Sequence, residues 1–134
     1  MNVTVHFCNR QTADGETIPT VLDATGTLNT TKNGFKLCYT EPDGAAVTVS
    51  VDDTRILFIR KSEITTRLLL EENKQHLCHC QTPYGDMTFP ADTHKLSAKI
   101  SATGGAICAG YTMSMGNGTI NNELEILVEE VPTC

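Results

Sequence analysis

The chain is short of basic residues, with 10 Lys and Arg against 16 Asp and Glu and a formal charge of −6. Affinity for nucleic acid comes mainly from lysine and arginine neutralising phosphates, so this balance excludes a polynucleotide as the expected partner. Long apolar runs are absent as well. The longest undisturbed one is Ile56-Leu57-Phe58-Ile59, far below the roughly 20 residues that cross a bilayer as a helix. The N-terminus Met1-Asn2-Val3-Thr4-Val5-His6 has no apolar h-region and reads as a strand rather than a secretion signal. No nucleophile motif such as Gly-x-Ser-x-Gly, no cofactor fingerprint and no closed metal-ligand spacing occurs. The expectation is a cytoplasmic protein without cofactor, with Cys8, Cys38, Cys78, Cys80, Cys108 and Cys134 as thiols serving mainly as small apolar filler. In that setting the sequons at Asn2, Asn29 and Asn117 carry only local turn chemistry.

What is present is alternation. The 134 residues make one domain's worth of chain, 40% hydrophobic and 19% charged, enough for one core without staples. In Thr82-Pro83-Tyr84-Gly85, Pro83 presets φ for a tight reversal and Gly85 suits its far side. Flanking it, Leu77, His79 and Gln81 alternate with His76, Cys78 and Cys80, and Met87 and Phe89 alternate with polar neighbours. Asp14-Gly15, Asn33-Gly34, Glu41-Pro42-Asp43-Gly44, Asp52-Asp53, Gly104-Gly105 and Gly116-Asn117-Gly118 repeat the turn chemistry along the chain. Between them lie period-two stretches: Val3, Val5, Phe7; Ile18 to Leu28; Phe35, Leu37, Tyr39; Val47, Val49, Val51; Thr54 to Lys61; Met87 to Asp92; Leu96, Ala98, Ile100; Ile107 to Met115; and Leu124, Ile126, Val128. Pro19 and Gly26 suit an edge, a bend or a bulge rather than a flat central strand. The stretch Arg55–Glu72 can be drawn loosely as a helix. Its Ile and Thr content, the lack of alanine and the break at Lys61-Ser62-Glu63 favour a hairpin.

Ten or eleven short antiparallel strands joined by hairpins predict an all-β fold over residues 1–134. The form expected is a single up-and-down barrel of about 8 to 11 strands, because closure leaves fewer exposed edges; a β-sandwich is the alternative. The inward set should include Val5, Phe35, Leu37, Val49, Phe89, Ile100, Ile107, Tyr111, Leu124 and Ile126.

The order of Thr25-Gly26, Tyr39-Thr40-Glu41, Arg60, Leu68-x-Leu70, Thr82-Pro83-Tyr84-Gly85-Asp86, Thr93 and Tyr111 resembles the YwiB-like proteins of bacteria, and the match spans most of the chain. Cys80 stands where that family more often has an aromatic, and Ser62 where a glycine often follows the arginine. The resemblance implies a calycin-like, that is lipocalin-like, barrel in a cytosolic setting, and a domain of unknown function with no catalytic residues to carry over.

Three constellations stand out. His76, Cys78 and Cys80 share one strand face as weak metal candidates. A Cys-x-Cys pair on a strand nevertheless sits roughly 6.6 Å apart, at about 3.3 Å of rise per residue, so core thiols are the stronger reading. Asp86, Asp92 and His94 crowd one side of a hairpin as an acid and base pair on paper, but residues of this kind also serve turns and solvation. On strand 54–61, Arg60 shares a face with Ile56 and Phe58 and Arg55 shares the other with Leu57 and Ile59, so one arginine faces inward. There it either orients a ligand's acidic group or pairs with a carboxylate such as Asp52 or Glu63. The function expected is a non-enzymatic binder of a small apolar or acidic ligand, with Arg60, Tyr84 and Tyr111 as contacts and Met113 and Met115 as an adaptable wall. The competing function is a side-chain-filled barrel acting as a protein-interaction module, for instance a homodimer; an enzyme is the third and weakest.

Overall fold

The computed structural model describes residues 1–52, 54–101, 103–116 and 118–131, so Asp53, Asn117 and Cys134 lie outside the described residues. Ten strands follow one another: β1 (Asn2–Ala13), β2 (Glu16–Thr30), β3 (Phe35–Thr40), β4 (Ala46–Val51), β5 (Arg55–Lys61), β6 (Thr65–Glu71), β7 (Lys74–Thr82), β8 (Gly85–Ser101), β9 (Gly104–Met115) and β10 (Gly118–Glu130). Each pairs antiparallel with its sequence neighbour, and β1 pairs with β10, which closes the barrel. The up-and-down barrel is therefore the architecture and the sandwich is not. Arg55–Lys61 and Thr65–Glu71 form the expected hairpin instead of a helix, with Phe58 opposite Leu68. No helix among the described residues is long and apolar enough to cross a membrane.

The turns use the residues that their geometry demands. Asp14 and Gly15 both take positive φ, 53° and 79°, as a two-residue hairpin of the twist-matching type requires. Pro83 and Tyr84 link Thr82 to its ladder partner Gly85, and the Thr82 hydroxyl accepts from the Tyr84 N–H at 3.1 Å. At Gly105 the constraint is a close approach: a Cβ there would lie 1.9 Å from the Lys99 carbonyl oxygen.

Alternation delivers the core. Val3, Val5, Leu37, Val47, Val49, Leu70, Ile107 and Ile126 point into the lumen and are all but inaccessible. Phe35 and Ile100 are half-buried against this cluster. Phe89 sits opposite the buried Cys78 and so takes an inward position, yet it is only half-buried and stays outside the core cluster. The two apolar runs after the Pro83 turn belong to one strand, β8, of 17 residues. Its register against β9 slips between Thr93 and Lys95, a bulge at His94 that moves the inward positions from Ala91 and Thr93 to Leu96 and Ile100.

One stretch of ladder is left open. β2 pairs with β1 from Glu16 to Thr27 but with β3 only from Gly26 to Thr30. Residues Glu16 to Thr25 thus carry a free edge on the side away from β1, and this is where Pro19 stands. Counting hydrogen-bonded pairs from the Ala13–Glu16 closing pair places the Pro19 nitrogen on the free side, where its missing N–H costs no ladder bond.

Candidate functional site

The barrel has two mouths separated by an aromatic pair. Phe7 of β1 and Phe58 of β5, four places apart in the ring of ten strands, meet across the lumen with centroids 6.5 Å apart and planes at 40°. The lower mouth is bordered by the β2–β3, β4–β5 and β6–β7 turns and the upper mouth by the β1–β2, β3–β4, β5–β6 and β7–β8 turns.

A cavity of about 610 Å³ opens at the lower mouth. Its apolar floor is Phe35, Val51, Ile56, Leu96 and Ile100, all inward positions continuous with the core. Its rim is polar and comes from the three turns. Glu71 bonds His76 Nε2 at 3.0 Å and Lys74 Nζ at 3.2 Å, and these hydrogen bonds, His76 first, hold its carboxyl below the usual range. Glu72 accepts from the Leu96 N–H at 3.2 Å, just past the β8 bulge, and so ties the β6–β7 turn to the cavity wall. Asp52 pairs with Arg55 at 3.3 Å. The arrangement offers acceptors and an apolar pit, and it presents no nucleophile with an adjacent base.

Arg60 faces inward at the upper mouth, one inward step above Phe58. Its Nε and Nη2 both reach Glu41 Oε1 at 2.9 Å, Nη2 reaches Asp43 Oδ2 at 3.0 Å, and Nη1 donates to Ser62 Oγ at 3.3 Å. The bond to the nearly enclosed Glu41 raises the guanidinium's pKa further. Its partners are thus the β3–β4 turn, whereas Arg55 takes Asp52 and neither arginine pairs with Glu63. Tyr111 lies buried on β9 opposite Thr93, and burial pushes its phenol up to about 12. Tyr84 is 100% exposed on the β7–β8 tip. These three residues are not brought into one cavity: Tyr84 borders a separate groove with Ile64, Pro83 and Met87, and the lower cavity contains none of them.

His76, Cys78 and Cys80 do share the inward face of β7. His76 turns to Glu71, and burial pushes the Cys78 thiol up to about 12, which keeps it protonated. Among the described residues no three His, Cys, Asp or Glu side chains are grouped to hold a metal. Asp92 accepts from Gln75 at 3.1 Å, and His94 lies on the outer wall over Gly110, 3.5 Å from the Thr112 hydroxyl. Asp86 is exposed near the turn. The trio is not assembled as a catalytic group. Sequence reading missed the rim residues Glu71, Glu72 and Asn73, because nothing local marks one turn among several as the border of a cavity.

The family model described as "Domain of unknown function (DUF1934)" matches residues 5–126. The chain belongs to this family. The crystal structure of the ywiB protein from Bacillus subtilis superposes with a TM-score of 0.85 at 18% identity, covering 98% of this chain and 92% of that one. At that identity the likeness shows the fold, a barrel shared over nearly the full length of both chains. No curated protein matches the sequence.

Proposed function

We propose that this barrel is a non-enzymatic binder of a small, partly apolar ligand seated in the lower mouth. The observation that carries the reading is the cavity of about 610 Å³, within the range of small-molecule sites, with an apolar floor and a few convergent polar groups. The rim carboxylates Glu71, Glu72 and Asp52 each hold a protein donor already, and their remaining lone pairs favour a ligand whose polar end donates hydrogen bonds. The arginine that lines this cavity, Arg55, is already paired with Asp52 at 3.3 Å, and an acidic head group would have to displace that carboxylate. The ligand is therefore apolar with a donor end rather than acidic.

The experiment is native mass spectrometry and solvent extraction of freshly purified protein, followed by titration with a neutral solvatochromic naphthalene dye. Ala98 is exposed at the cavity wall, so Ala98→Trp blocks the mouth without touching the core. Saturable dye binding that falls at least about tenfold in Ala98→Trp supports the proposal; a bare apo mass together with dye binding indifferent to the substitution removes it.

The interaction module keeps one specific support. The middle of the barrel is filled by its own side chains, and Ile64, Tyr84 and Met87 stand exposed around one groove at the upper end. A stable dimer by light scattering that Tyr84→Ser dissolves would favour that function over the binder.

A further inference from the structure

Above the Phe7–Phe58 pair the inner wall changes character. The next inward residues of β1 are Asn9 and Gln11, and β10, otherwise lined by Leu124, Ile126 and Val128, brings Asn122 beside them. Asn122 Oδ1 accepts from Asn9 Nδ2 at 3.2 Å and from Gln11 Nε2 at 3.1 Å, while its own Nδ2 donates to the Ile120 carbonyl at 3.2 Å. Three amides thus fix one another's orientation. Asn9 is 9% exposed and Asn122 2%, and after these bonds Asn9 Oδ1 remains buried with no protein donor. An acceptor left so is destabilising, which two apolar residues at these positions would avoid.

Asn9 Oδ1 is covered at rest, but the wall opens just above it, toward the upper mouth. Along β1 and β9 the inward side chains pass from sealed to open: Val5 and Ile107 are inaccessible, Met113 is half-buried, and Gln11 and Met115 are exposed. Ile18, opposite Gln11 on the free-edged part of β2, is also exposed. Across the lumen Arg60 is offset by two carboxylates. The compartment therefore offers oxygen acceptors and apolar carbon, with no free cation among these groups.

We propose that the upper mouth is a second site, separated from the lower cavity by the two phenylalanines, and that it takes a small aliphatic hydrogen-bond donor, an alcohol or an amine, on Asn9 Oδ1. The amide cluster holds that oxygen in place, and Met113 and Ile120 cover the ligand's carbon chain.

The test is a titration of the 15N-labelled full chain with hexane-1,2-diol, hexylamine or sodium hexanoate, reading the side-chain NH2 signals of Asn9, Gln11 and Asn122. Saturable shifts with the diol or the amine, at millimolar concentration, are expected while Ile56 and Leu96 at the lower cavity stay still. Hexanoate should produce none. Asn9→Leu should weaken the response at least about tenfold. Gln11→Ala, at an exposed position that leaves folding intact, should weaken it severalfold. The diol and amine arms separate a neutral from a cationic donor. An absence of saturation with both donors, which leaves the amides to water only, overturns the proposal, as does an equal response to hexanoate or an affinity unchanged in both variants.

Discussion

Phe7 and Phe58 face each other across the barrel with ring centroids 6.5 Å apart, and each stands directly below a polar inward residue, Asn9 on β1 and Arg60 on β5. Two aromatic rings from opposite walls can fill a lumen that aliphatic side chains from one wall would leave open. Phe7→Ala or Phe58→Ala should each cost about 3 kcal/mol by urea denaturation. The double mutant should fall short of the sum by roughly 0.5–1.5 kcal/mol. Strict additivity would mean that the rings do not support one another.

Arg60→Met leaves Glu41, only 9% exposed, without its cation. Because Arg60 itself is partly solvated, the expected loss is about 2 kcal/mol rather than the larger cost of a sealed pair. Arg60→Met with Glu41→Gln should recover about half of it. Chemical denaturation of the three variants checks both figures, and equal losses in the single and double variants would show that the charge left behind is not what matters.

Burial raises the phenol of Tyr111 to about 12 and that of Tyr39 higher still. A folded-state value above the unfolded one, near 10, means that the native protein keeps protons which the unfolded chain releases. The stabilisation is complete below pH 10 and is lost as the pH rises toward 12. Denaturation midpoints should fall over that window, and Tyr111→Phe should shrink the fall. Absorbance at 295 nm should report ionisation of Tyr111 together with unfolding rather than before it.

Gly105 has φ 152°, and a Cβ there would meet the Lys99 oxygen at 1.9 Å. Gly105→Ala must push β8 and β9 apart at their lower end and should cost more than about 2 kcal/mol. Amide exchange should quicken first at Lys99 and Ile100. Unchanged protection there would disprove the close approach.

Much of the barrel was legible because its signals are local. Asp14-Gly15 and Pro83-Tyr84 turn where their dihedral preferences say they should, and Val3 and Val5 or Ile126 and Val128 reveal their face by alternation. β8 looked like two strands because the bulge at His94 switches the parity of its apolar positions. The site was less legible because its contacts are not local. Arg60 pairs with Glu41 and Asp43 rather than with nearby Asp52 or Glu63, a choice set by the register of β4 against β3 and β5. Asn9 and Asn122 are each visible as polar interruptions of an apolar face. That they touch depends on the closing pair of strands, which joins residues 113 apart in the sequence.

The open edge of β2 bears on behaviour in concentrated solution more than on the fold. Val21 is 68% exposed and Ile18 63%, on a strand with unclaimed backbone groups, so two molecules have the means to zip together there. Pro19, whose nitrogen faces that edge, interrupts any such ladder midway. Replacing it with threonine should leave the melting temperature within a degree or two and yet shorten the lag before turbidity on storage, a fault of colloidal shelf life in a molecule whose native state is unharmed.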